Sequence, residues 1–430
     1  MKNYISDLKE MRSYLLLWFT QMISGLGSAM TAYALVIWSY TQAGSALRTA
    51  LLMVCSYAPY VICSIFAGAL SDRWDKKKTM LVCDALAAIS TLIVLMLLKN
   101  DALRIWHLYI VNAVSGLMNT VQQPASEVAT SALLKREYYQ KVGGLRYLSN
   151  SLNSILTPII ATAVMSLWGI DVVIAIDLVS FAVAFIVLLL FIPVPKTESK
   201  QAQESVLQSS AEGVRWLKAN PGIFHLMLFL AGINLVASMF NATLPAMILS
   251  KASETALGTV NSVTGIAMLV GSLLASFLPA PKSRVKAIWC CLMVSMCTEN
   301  FFLAFGRSVW VWSFGAVLGW IVIPWMNANL EAVNRLNIPI EIQGRVFAAR
   351  NSFQFFTIPV GYFLGGALVD QVFEPIMSKQ TDGLLVRLFG TGKGSGAAFL
   401  FAVLWLMGIA VCLIFRADKH IWKLEELQNT

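Results

Sequence analysis

Most of the charge in this chain stands at the joints between long apolar runs. Residues 48–71 and 79–98 are each long enough to cross a bilayer as a helix, and between them lies Asp72-Arg73-Trp74-Asp75-Lys76-Lys77-Lys78. A helix crosses the hydrocarbon core with about 20 apolar residues. Strands that do not close into a barrel cannot satisfy their backbone in lipid, so the runs read as helices. Twelve fit: 13–40, 48–71, 79–98, 103–126, 146–168, 170–192, 222–249, 256–279, 284–305, 308–330, 347–370 and 395–416. Of the 430 residues 57% are hydrophobic and 13% charged, with a mean hydropathy of +0.69. A soluble domain carries about a quarter charged residues. The expected fold class is therefore an all-α membrane protein.

An even number of spans puts both termini on one side. That side, which also holds the 73–78 knot, carries 24 of the 32 Lys and Arg, and the other carries eight. By the positive-inside rule both termini are cytoplasmic. The same clustering at helix ends explains the net charge of +9 without nucleic acid. The N-terminal residues 1–12 are polar and the first apolar run is too long for a signal peptide, so no cleavable leader is expected. The seven cysteines fall inside apolar segments without metal-ligand spacing and read as packing residues.

The longest polar connection, 193–221, lies at the midpoint. It divides the chain into a six-helix bundle (1–192), a cytoplasmic linker (193–221) and a second bundle (222–430). The halves echo each other. Gly143, Asn150, Ser151 and Pro158 recur as Gly344, Asn351, Ser352 and Pro359 at a constant offset, and Ala113, Val114 and Gly116 recur as Ala316, Val317 and Gly319.

Gly68-Ala-Leu-Ser-Asp72-Arg73-Trp-Asp-Lys-Lys77-Lys resembles the G-x-L-x-D-R-x-G-R-[KR]-[KR] loop between the second and third helices of the major facilitator superfamily. Gln21, Ser24 and Gly27 in the first span, Pro124 near the end of the fourth, Ala175-Ile-Asp177 in the sixth and Gln343-Gly-Arg-Val-Phe347 before the eleventh extend the similarity over the whole chain. Asp75, in place of the usual glycine, is similar to the form seen in the macrolide efflux branch, which stands beside siderophore exporters and drug–proton antiporters. The resemblance implies two pseudo-symmetric halves around a midplane substrate path. Two positions depart from the pattern: Pro158 lacks glycine neighbours, and Ser28 stands where many relatives carry an acid.

Gly68, Asp72, Arg73, Lys77, Glu127, Gly344 and Arg345 are the expected gating residues, forming a latch on the cytoplasmic rim; for Lys76 to Lys78 the alternative is a plain positive-inside anchor. An ionisable group inside a span is costly and points to function. Asp177 reads as a proton carrier or as a hydrogen-bonded structural Asp. Asp84 reads as a partner of the nearby basic residues, a gate or a proton site. Glu299 reads as a snorkelling or paired acid near the outer end of its span, and Asp370 as a boundary residue. Gln21, Tyr33, Asn112, Asn119, Asn234, Asn241, Trp320 and Asn327 are the substrate-path candidates, with helix–helix hydrogen bonding as the alternative for each Asn.

No G-x-x-x-x-G-K-[ST] motif is present, so the chain is not expected to hydrolyse a nucleotide. Its three histidines look scattered, and no catalytic or metal cluster is legible; no metal and no cofactor are expected, and an enzyme is disfavoured. The expected partners are the lipid bilayer, a lipophilic small molecule and a proton, with no nucleic acid; the sequence names no accessory protein or partner ATPase. The reading is a secondary transporter, proton-coupled and exporting macrolide-like or other amphiphilic compounds. The alternatives are a siderophore or lysophospholipid carrier, a passive facilitator, and a non-transporting sensor on the same scaffold.

Overall fold

The computed structural model describes residues 11–133, 139–194, 206–339, 346 and 353–426, with the side chains of 64–73, 131–132, 139–141, 143–144, 147, 206–211, 335 and 425–426 left undescribed. The first unit, Met1–Trp38 with Cys55–Gln203, and the second, Ser39–Val54 with Glu204–Thr430, are each compact. The helices are α1 (Arg12–Ala43), α2 (Ala46–Arg73), α3 (Lys76–Lys99), α4 (Ile105–Leu133), α5 (Tyr139–Trp168), α6 (Ile170–Phe191), α7 (Val206–Ala219), α8 (Pro221–Lys251), α9 (Glu254–Phe277) and α10 (Arg284–Phe305). They continue with α11 (Val309–Trp320), α12 (Ile323–Asn337), α13 (Thr357–Leu368), α14 (Glu374–Ser378), α15 (Leu384–Phe389), α16 (Ser395–Arg416) and α17 (Lys419–Glu426).

Among the described residues, eleven helical stretches are long and apolar enough to cross a membrane. The fourth expected span is α4, whose 29 residues are also sufficient in length but include Asn112, Asn119, Gln122 and Gln123. Short polar caps start several helices. Asp75, Ser253, Ser283 and Ser308 each accept a backbone N–H three residues on, supplying partners to otherwise orphaned donors. Inside the spans, Thr20, Thr120, Thr243 and Ser262 return their hydroxyls to the carbonyl four residues back, which satisfies them without water. Apolar side chains face outward; Phe277 is 85% and Trp310 81% exposed, as a lipid-contacting surface requires.

Two expectations about the spans are corrected. The tenth is two helices: α11 ends at a turn at Ile321–Val322, and α12 begins with Pro324 in its first turn, where the missing N–H costs nothing. The eleventh does not end at Asp370. It runs on through a π-helical segment, Val369–Phe373, into α14, so Asp370 lies within a continuous helical path. The 193–221 connection contains α7, a helix whose Leu217 is fully buried.

Glycines let helices touch backbone to backbone. Gly361 and Gly365, one turn apart on α13, lie against Leu235, Ser238 and Met239 of α8; a Cβ at Gly365 would come within 2.8 Å of Met239 Cα and O. This is the small-xxx-small contact typical of membrane helices. In the first unit, a Cβ at Gly116 of α4 would collide with the carbonyl oxygen of Ser56 in α2. In the second, Gly271 of α9 makes the same approach to the carbonyl of Ile321, at the α11–α12 break.

Candidate functional site: a cavity and the buried carboxylates

The first unit contains a cavity of about 520 Å³, within the range of drug-sized ligand sites. Three helices build it. α1 contributes Tyr14, Leu17, Trp18, Gln21 and Met22; α4 contributes Gln123, Ser126, Glu127 and Thr130; α5 contributes Val142, Arg146, Ser149, Asn150 and Asn153. Its α1 and α5 walls are pinned together by the Trp18 indole, which donates to the Leu145 carbonyl at 3.1 Å, and by the packing of Met11 and Tyr14 against Val142 and Leu145. On the rim Arg146 donates to Glu127 at 2.9 Å. Both side chains are more than half exposed. The lining thus joins two aromatic rings and several amides to one ion pair, a surface suited to an amphiphilic ligand.

Two carboxylates are buried in the same unit. Asp84, 6% exposed on α3, accepts from the Gln122 amide at 2.6 Å. It reads in the sequence as a partner of the basic knot, a gate or a proton site; among the described residues it is held by the neutral amides of Gln122 and Gln21. Asp177, 3% exposed on α6, accepts from the Ser28 hydroxyl at 2.9 Å. Gly27 makes room for it: a Cβ there would lie 3.0 Å from the Asp177 Cα and 2.6 Å from Ser180 Oγ. The serine that replaces the relatives' acid is therefore the donor that holds the buried one.

The remaining expected site residues separate by role. Lys77 donates to the carbonyls of Leu189 and Ile192 at 3.0 and 2.8 Å, so it caps the C-terminal end of α6. Gly68, Asp72 and Arg73 lie on α2, but their side chains are outside the described residues, as are Gly344 and Arg345 entirely. Gln21 lines the cavity. Tyr33 packs on the apolar cluster of Met30, Ala34, Ala161, Val164 and Val173. Asn112 bonds back to the Leu108 carbonyl, and Asn234 bonds to the carbonyl of Gln354 at 3.1 Å. Asn119, Asn241 and Asn327 are exposed. Sequence reasoning missed the α5 wall, because Asn150 and Asn153 repeat at i, i+3 in a span read only as a repeat and a proline motif.

In the second unit Glu299, read as a snorkelling or paired acid near the outer end of its span, is 5% exposed, packs against Gly319 and is met by the Trp320 side chain. Asp370 and Glu374 each serve a helix start. Asp370 accepts from the backbone of Ala46 and Leu47 at 3.0 and 2.9 Å and from the Ser45 hydroxyl at 2.5 Å, capping α2. Glu374 accepts from the Gly394 N–H at 2.8 Å at the start of α16. The seven cysteines are all free.

Helices long and apolar enough to cross a membrane, a cavity built by three helices of the first unit and acids buried within the spans fit a multi-pass membrane transporter. Residues 17–251, more than half of the chain, match the sequence profile of the Major Facilitator Superfamily, and the chain belongs to that family. It is 24% identical over 364 residues to Macrolide efflux protein A of Streptococcus pyogenes, covering 83% of this chain and 89% of that one. It is 23% identical over 372 residues to the multidrug efflux pump Tap of Mycolicibacterium fortuitum, with 83% and 89% covered. It is 25% identical over 262 residues to the enterobactin exporter EntS of Shigella boydii, with 59% and 61% covered. Among solved structures, the nucleoside transporter NupG superposes with a TM-score of 0.70 at 13% identity over 95% of this chain and 100% of that one. An inward-facing bacterial homologue of ferroportin superposes with a TM-score of 0.67 at 14% identity, over 95% and 99%.

Proposed function

We propose that this chain is a proton-coupled exporter of macrolide-like or other amphiphilic compounds, working by alternating access in the cell membrane, with both termini cytoplasmic. The observation that carries the reading is the cavity: a volume fit for a drug-sized molecule, lined by Tyr14, Trp18 and Met22 as well as Gln21, Gln123 and Asn153, with an ion pair on its rim. Likeness to macrolide and multidrug efflux proteins supports the direction and the ligand class.

Asp177 is the proposed proton carrier. Its ionised form is favoured in the more hydrated of two conformations, so taking up or losing a proton shifts the balance between them. Asp84, hydrogen-bonded to Gln122, is the second candidate, and it links the proton site to the cavity wall on α4. The two six-helix halves, 1–192 and 222–430, joined by 193–221, carry out the alternating access. Gly68, Asp72, Arg73, Glu127, Gly344 and Arg345 latch one state, and Lys77 holds the end of α6 through the cycle. The likeness to an enterobactin exporter keeps a siderophore carrier as the second reading.

Energised inverted vesicles carrying the protein should accumulate a macrolide or a cationic dye, and a protonophore should collapse the accumulation. Transport indifferent to the protonophore would make the protein a passive facilitator, and transport of a catecholate siderophore alone would select the second reading.

A further inference from the structure

The C-terminal helix α17 returns to the first turn of α8. Gly222 allows it: a Cβ there would lie 2.8 Å from both the His420 carbonyl oxygen and Leu424 Cδ2. Ile421 and Leu424 are buried on that contact. The close approach places Asp418 and His420 beside His225. His225 Nδ1 lies 2.5 Å from one Asp418 oxygen, and His420 Nδ1 lies 3.3 Å from the other. The two imidazole rings are 4.7 Å apart. The chain has three histidines in 430 residues, and two of them converge on one carboxylate. One donor atom from each of the three residues lies within 4.8 Å of the others.

We propose that His225, Asp418 and His420 bind a divalent transition-metal ion of the zinc class. Two imidazoles and one carboxylate are the donors such ions prefer, with water completing the shell. Calcium or magnesium would demand more oxygens than the cluster offers. Partial burial alone pushes the Asp418 carboxyl up, but the hydrogen bonds from His225 and from the His420 amide hold it below the usual carboxylate range, so it is anionic at neutral pH. Tetrahedral donors at bond lengths of about 2.1 Å stand about 3.4 Å apart. The trio is somewhat wider, and the His420 side chain, 51% exposed, has room to rotate inward. A cleft of about 220 Å³ lined by His420, Gly222, Asn337 and Lys423 gives access from solvent. The bound ion would exchange the His225–Asp418 hydrogen bond for bonds from both residues to the metal and would staple α17 to α8.

The test uses the purified full-length protein, stripped with a chelator and titrated with zinc. The melting temperature is expected to rise with the logarithm of zinc concentration and to fall back when chelator is restored. Cobalt in place of zinc should give visible absorption bands. His420→Gln and His225→Gln keep an amide that can still bond to Asp418, so each should retain the metal-free melting temperature and lose both the zinc response and the cobalt bands. Absence of a zinc response in the unaltered protein would overturn the proposal and leave a hydrogen-bonded clasp. So would a response that survives in the His225→Gln/His420→Gln double variant.

Discussion

Two carboxylates of the second unit and two of the first do different work. In the second unit Asp370 and Glu374 face backbone N–H groups at helix starts, where a negative charge meets the positive end of a helix dipole and several orphaned donors. They act as helix caps. In the first unit Asp84 and Asp177 each meet a side-chain donor, an amide or a hydroxyl, that serves a protonated acid nearly as well as an ionised one. A carboxylate committed to backbone donors is a cap. A carboxylate resting on a rotatable neutral partner is free to exchange a proton. Under the proposed function, burial alone does not mark a coupling residue; the nature of the donor does.

The helix contacts provide the largest test of how alike the units are. Gly116→Val and Gly271→Val each drive a branched side chain into a carbonyl oxygen of a neighbouring helix, and both should cost about 3 kcal/mol or more. Thermal unfolding of the purified variants checks this. A tolerated valine at one site only would show that the two close approaches are not equivalent. Asp370→Ala should cost about 1–3 kcal/mol by orphaning the first N–H groups of α2. Asp177→Asn should leave the melting temperature within about 1 kcal/mol equivalent, since the amide keeps a Ser28 contact, yet should remove proton coupling. If Asp177→Asn unfolds the protein while Asp370→Ala does not, the contrast between the units is inverted. Smallest in stability is Glu127→Gln, an exposed pair worth about 0–1 kcal/mol. Its expected effect is on ligand affinity, read as increased drug susceptibility in a pump-deficient host expressing the variant.

The all-helical fold and most of the spans were legible because a 20-residue apolar run has few other physical meanings. Gln21 was found because an amide in an apolar span stands out. The break at Ile321–Val322 was not, since Pro324 sits where a helix tolerates it and the flanking residues are apolar. The π-helical turn at Val369–Phe373 was hidden because i→i+5 bonding has no composition signature. The burial of Glu299 depends on which face Gly319 presents, a property of packing and not of position in the span. His225 and Asp418 lie 193 residues apart, and only the docking of α17 joins them.

The central claim is that proton movement and drug movement are tied together through Asp177. Proteoliposomes with a pH-sensitive dye in the lumen test it directly: drug is added outside with no imposed gradient, and luminal pH is followed. The account predicts a drug-driven proton flux in the unaltered protein and in Asp370→Asn, and none in Asp177→Asn, which should still bind drug. A flux of undiminished size in Asp177→Asn would contradict it.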